Sequence, residues 1–317
     1  YTSDDTISGG AGNDAIQGYN GNDILAGGAG GDTTQKPKVK SGTLARRLDS
    51  LLADTNTAAS IATDPIRFPR RYTSVGDIEV AAWVSASLAF GRVSAFGPVL
   101  ERIFAVADSH GGPAEFVASW DIRREHELAG IYYRWHPNRD ILALLRLVGA
   151  VRNTYGSLGV LFTSGPMEQS LGRVISAVRA LVPGDVSTHF RTFLVHPDDG
   201  SACKRWNMLL RWMVRREAPD LGIWTHLDPA DLVIPLDTHV FRVARFLGLT
   251  ERNAPGWAAA REITTSLAQF SPRDPVRYDF ALAHLGISGR CKGHRDARIC
   301  PECPLDEVCR APGPVRP

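Results

Sequence analysis

The chain has 317 residues, 44% of them hydrophobic and 22% charged, ordinary values for a globular protein able to bury one or two cores. The longest nearly apolar run, Val80 to Phe90, is too short to cross a bilayer, so no membrane span is expected, and no basic-then-apolar leader is visible. The formal charge of +2 is uneven: the first 35 residues hold five Asp and no Lys, Arg or Glu, leaving 36 basic against 34 less 5 acidic residues beyond them, a basic surplus compatible with a polyanionic partner.

Residues 9–35 divide into three nonapeptides, "GGAGNDAIQ", "GYNGNDILA" and "GGAGGDTTQ", behind a partial one ending "DDTIS". In the pattern G-G-x-G-x-D-x-U-x, Gly carbonyls and an Asp carboxylate of stacked turns hold Ca²⁺ while the apolar U residue points inward. Asp14, Asp23 and Asp32 take the calcium position, and Ile7, Ile16 and Ile24 are read as the inward residues. The segment resembles the RTX family of calcium-binding repeats. So few turns without a cap bury little, so it reads as a leftover of a longer β-roll, a fusion junction or an added tag. As a native part of the chain it would argue for an extracellular protein. Residues 36–42, polar and broken by Pro37, read as a linker.

From residue 43 to 311 the pattern is helical, with few alternating β-branched runs, and an all-α domain of nine or ten helices is expected, followed by a short tail at 312–317. The candidates in chain order are "IEVAAWVSASLAF", capped by Asp77, "PVLERIFAVAD", "PAEFVASWDIRREHELAG", "RDILALLRLVGAVRNTYG", "PMEQSLGRVISAVRALV", "ACKRWNMLLRWMVRRE", "THVFRVARFLG", "GWAAAREITTSLAQF" and "PVRYDFALAHLG". Each has apolar residues at helical spacing and a Pro, Gly, Asp or Ser boundary.

Three of these stretches carry chemistry. In "CKRWNMLLRWMVRR", Trp206, Leu209, Leu210 and Met213 form a core stripe, which leaves Lys204, Arg211 and Arg215 on a separate basic face. Such a face is either solvated or set against phosphates, and the Gly200–Ser201 turn ahead of it would then offer backbone N–H groups to the same anion. In "LVIPLDTHVFRV", Asp237 stands at the N-cap of an apolar-periodic helix, where it accepts hydrogen bonds from the first turn. A cap alone explains it, yet a carboxylate there also suits a group that faces developing positive charge. The tail "CKGHRDARICPECPLDEVC" groups Cys291, Cys300, Cys303 and Cys309 closely enough to converge on one centre, a 4Fe-4S cluster or Zn²⁺. Trp212, Trp224 and Tyr278 read as core aromatics, and Cys203 as a small buried thiol.

The order of basic helix, "LDTHV", "HLGISGRC" and four clustered cysteines resembles the helix-hairpin-helix DNA glycosylases of the endonuclease III and adenine glycosylase type. Within that superfamily, "RYTSVGDIEVAAWVSASLAFGR", "IYYRWHPNRDILALL" and "DPVRYDFALAHLG" look like a bacterial family of unknown function, over about Thr43 to Arg310. The resemblance implies a two-lobed helical fold and a cytoplasmic DNA-binding monomer. It further implies a 4Fe-4S loop and Asp237 as the residue that stabilises an oxocarbenium-like transition state while a flipped base leaves. Expected DNA contacts are Gly200, Ser201, Arg205, Arg211, Arg215 and His239.

The chain departs from that pattern in three places. Ala202 stands where a lyase-competent enzyme carries its Schiff-base Lys, and Lys204 lies two residues on, about 200° around a helix, so Lys204 can serve only if the hairpin is built differently. The stretch from Lys204 to Asp237 is longer, and the first cysteine spacer is x8 rather than x6. A base-excision glycosylase, with Lys204 as a lyase residue or without one, is the leading expectation. The alternatives are a non-catalytic DNA-binding protein with a structural cluster and a secreted calcium-binding protein.

Overall fold

A computed structural model describes residues 6–8, 24–26, 41–55 and 57–313. Two compact units are present, Tyr1–Val39 and Lys40–Pro317.

In the first unit, β1 (Thr6–Ser8) and β2 (Ile24–Ala26) pair in parallel with Ile7 opposite Leu25. Leu25 is the eighth residue of "GYNGNDILA", as Ile16 is of the nonapeptide before it, so Leu25 rather than Ile24 holds the apolar U position of the repeat pattern. Asp14, Asp23 and Asp32 lie outside the described residues.

The second unit, over its described residues, is mostly helical. It begins with α1 (Ser41–Asp54) and α2 (Thr57–Ala62), then α3 (Val75–Leu88), α4 (Val93–Ser109), α5 (Pro113–Ala118) and α6 (Ile122–Glu127). It continues with α7 (Asn138–Tyr155), α8 (Met167–Arg179), α9 (Lys204–Val214), α10 (Thr238–Phe246), α11 (Trp257–Ala268) and α12 (Asp279–Ile287). Short 3-10 turns join several of them. Among the described residues no helix is long and apolar enough to cross a membrane.

The core is built on α3 and α9, which pack together and are buried over Ile78–Leu88 and Trp206–Val214, the polar Glu79, Ser85, Ser87, Asn207 and Arg211 included. Trp83 and Trp206 meet across this contact with centroids 5.9 Å apart. The chain after α9 folds back on it: the amides of Leu221 and Gly222 both donate to the Trp212 carbonyl, at 2.8 and 3.2 Å. A second group joins α10, α12 and α1. There, a Cβ on Gly286 would lie 2.5 Å from His239 Nδ1, so the absence of a side chain lets α10 and α12 approach.

Several boundaries differ from the sequence reading. The cap of α3 is Ser74, whose hydroxyl accepts from the Asp77 amide at 3.1 Å; Asp77 instead accepts from the Ala114 amide at 2.8 Å and ties α5 to α3. The helix expected over residues 113–130 is two, because Asp121 accepts from the Arg123 amide at 2.8 Å and starts α6 afresh. Helix α4 begins five residues before Pro98, its first turn held by buried Phe96.

Candidate functional site

The stretch before α10 runs extended and buried from Leu232 to Leu236 and delivers Asp237 to the helix end. Asp237 Oδ1 accepts from the amides of His239 and Val240, each at 2.9 Å. One carboxylate oxygen is therefore spent on the cap. Among the described residues no hydrogen bond is made by Oδ2.

The hairpin before α9 is unusual. Gly200 adopts φ 73° and Cys203, a non-glycine, φ 46°, a left-handed conformation that costs of order 1 kcal/mol or more in a side-chain-bearing residue. That twist breaks the chain between Ala202 and the helix, so Lys204 becomes the first helical residue. Cys203 itself is buried, its Sγ near the Val195 carbonyl at 3.4 Å, and burial pushes its thiol up to about 12. It is packing, not a nucleophile.

A cleft of about 1270 Å³ opens between these elements. Asp237, Lys204, Ser201, Arg205 and His239 all line it. Lys204 and Asp237 share this cleft, whose lining also includes Ala202. Lys204 Nζ rests 3.4 Å from Met208 Sδ on the same wall.

Four of the expected DNA contacts have polar groups engaged within the chain. Arg211 and Arg215, each 4% exposed, do not form an open basic face. Arg211 bonds Asp220 at 3.1 Å and also Asp279, and Arg215 bonds Asp220 and, at 2.9 Å, Asp274. A guanidinium can be buried only with such partners; nearby Asp220 and the more distant Asp274 and Asp279 supply them. Gly200 has both backbone groups engaged, its N–H with Pro197 O at 2.9 Å and its carbonyl with the Trp257 amide at 3.2 Å. Arg205 is drawn inward as well: it donates to the Ser87 carbonyl at 2.8 Å and to that of Thr192, and burial pushes its guanidinium down to about 10.

The cleft also holds residues that the sequence reading passed over. Asp279, at the start of α12 and 2% exposed, lines it with Oδ2 bonded to Arg211 and Oδ1 buried with no hydrogen-bond partner among the described residues. Burial pushes the Asp279 carboxyl up to about 6 against the pull of Arg211, with nearby Asp237 adding to the rise and Lys204 opposing it. Phe90, Arg134 and Trp135 form another part of the wall. Trp212, Trp224 and Tyr278 are core residues, at most 3% exposed.

Cys291, Cys300, Cys303 and Cys309 line one mostly apolar pocket with Val243, Leu247, Leu285 and Leu305. Arg310 N donates to the Phe246 carbonyl at 2.9 Å and Arg295 to the Cys309 carbonyl at 3.1 Å, which fastens the loop to α10. Burial raises the thiols of Cys303 and Cys309. Among the described residues no three His, Cys, Asp or Glu come together closely enough to hold a single ion.

Fold and site together define an all-α protein with a helix-capping carboxylate at the wall of a cleft that also carries Lys, Arg and aromatic side chains. The chain belongs to the family described as Protein of unknown function (DUF2400), whose model matches residues 64–288 and so stops short of the four clustered cysteines. Residues 1–34 match the RTX calcium-binding nonapeptide repeat, four copies. No curated protein matches the chain.

Proposed function

We propose that the protein is a DNA base-excision glycosylase that cleaves the N-glycosidic bond of a damaged or modified base turned into the cleft. The observation that carries this reading is Asp237, with Oδ1 fixed by two backbone amides and Oδ2 uncommitted in a cleft shared with Lys204. A carboxylate held in that way needs no reorganisation to face the positive charge that grows on the sugar as the base departs. Lys204 supplies a primary amine on the same cleft, the group an imine-forming lyase step requires. The two-lobed helix-hairpin-helix arrangement belongs to the same proposal, as do DNA as partner, a monomeric state and a cytoplasmic setting.

The cysteine pocket fits this reading. Four thiolates can hold one Zn²⁺ tetrahedrally or a 4Fe-4S cluster with each thiolate on a separate iron, and the cluster is the occupant proposed here. Cys291, Cys300, Cys303 and Cys309 would hold it, in a pocket that Arg290, Lys292 and His294 line together with Asp296 and Asp306. Ca²⁺ at Asp14, Asp23 and Asp32 is proposed from the repeat match.

Duplexes carrying single modified bases test the activity. Wild type releases base from at least one, and Asp237→Asn, which keeps a good cap, melts as wild type does but loses roughly 10²–10³-fold in excision rate. Borohydride trapping of wild type but not Lys204→Ala would establish the lyase branch. Unchanged excision by Asp237→Asn refutes the assignment, and salt-sensitive DNA binding without excision of any base favours a recognition protein.

A further inference from the structure

Residues 132–136, "YYRWH", lie away from the hairpin and the cap, yet their turn reaches the cleft. Tyr133 and His136 form a two-residue bridge, N–H to O at 3.0 and 2.9 Å in the two directions. The alternation in burial is sharp: Tyr133 is 3% and His136 0% exposed, whereas Tyr132 and Trp135 are 70% and 46% exposed.

The buried pair anchors the turn. Tyr133 donates its hydroxyl to the Phe90 carbonyl, and His136 stacks on Phe193 at 4.1 Å between Asp140 and Thr192, 3.3 and 3.2 Å from its two ring nitrogens. At the tip, Arg134 is held at φ 53°, strain that persists only where the surroundings enforce it. A Cβ on Gly91 would come within 2.9 Å of the Arg134 guanidinium, so the turn sits directly on the Phe90–Gly91 backbone. Trp135 stacks on Phe90 at 5.1 Å and 24°, and Phe90 has the Arg205 guanidinium 5.3 Å from its centroid. Arg205, Phe90 and Trp135 thus make a supported column with a half-exposed indole, and the Arg134 guanidinium lies over that indole ring, 5.6 Å from its centroid.

A large aromatic ring left open to water on a rigid mount, beside a cation and inside a cleft, matches what a planar heteroaromatic ligand needs. We propose that Trp135, backed by Phe90, is a stacking site for an unpaired nucleobase of the DNA strand that enters the cleft. This rests on the glycosylase reading for the identity of the polymer, and not on which base is excised. Because Phe90 and the Tyr133–His136 bridge already fix the ring, stacking costs little side-chain entropy.

Anisotropy titrations at low salt, with a labelled duplex containing one unpaired thymine and with its fully paired counterpart, test the site on the full chain. Wild type is expected to favour the bulged duplex, and Trp135→Ala to lose about tenfold of its affinity for that duplex with little change for the paired one. Trp135→Phe retains most of the preference, which separates stacking from collapse of the turn. Equal affinity of wild type for the two duplexes, or a preference that survives Trp135→Ala, overturns the proposal while the glycosylase reading stands. Failure of wild type to bind either duplex removes both.

Discussion

Arg211 is one guanidinium shared by two buried carboxylates, and the surplus negative charge falls on Asp279, at the cleft. With its carboxyl pushed up to about 6 by burial, the folded chain holds a proton there that the unfolded chain has released. The contribution of Asp279 to stability is therefore greatest at the acid end and falls as pH rises through about 6. The melting temperature of wild type minus that of Asp279→Asn should be larger at pH about 5 than at about 7.5, since the loss of Arg211's partner in the variant is the same at both. A difference that grows with pH would sink this assignment. Asp237 was legible in the sequence because a cap is a local pattern, an Asp ahead of Val240, Val243 and Ala244 at helical spacing. Arg211 and Arg215 were not, since their partners Asp220, Asp274 and Asp279 lie up to 68 positions away and a helix wheel shows only which residues share a face.

Helix α12 carries Asp279 at its start and Gly286 near its end, so its seating against α10 decides where both Asp279 and His239 stand. An alanine at Gly286 would drive a methyl to 2.5 Å from His239 Nδ1 and 2.6 Å from its Cβ. Gly286→Ala is expected to cost about 1–3 kcal/mol in urea unfolding and, if the proposed DNA binding uses His239, to weaken it as the imidazole is displaced. Unchanged stability would mean that α10 and α12 do not approach as described. Helices α7, α8, α10 and α11 could be read from their apolar spacing to within a residue or three of each end. The short 3-10 turns and the break at Asp121 could not, because a few residues hold too little periodicity and are fixed by side chains that find amides only after the chain is folded.

On the scale of the whole chain, the division into a repeat segment and a helical body was plain from composition, since the Asp- and Gly-rich start gives way near residue 40 to dense helical patterning. The order of Lys204, Asp237 and the cysteines along the chain already suggested one site and one metal pocket. The cleft that joins the first two depended on a left-handed Cys203, which no local preference announces. The cysteine pocket makes its own claim: protein purified without oxygen should be brown, with iron and sulfide near four each per chain, and Cys303→Ser should lose both. Colourless protein that carries zinc would replace the cluster with a single ion.

Arg211 also connects the cleft to the chain that folds back over α9, for Asp220 is followed at once by Leu221 and Gly222, whose amides cap the Trp212 carbonyl. A ligand group that donates to Asp279 Oδ1 would change how Arg211 divides itself between Asp279 and Asp220. Coupling of this kind runs both ways. Occupancy of the cleft should accordingly slow hydrogen–deuterium exchange at Leu221 and Gly222, on the far side of Arg211 from the ligand. Asp220→Asn should uncouple the two, leaving the exchange of that fold-back indifferent to whether DNA is bound.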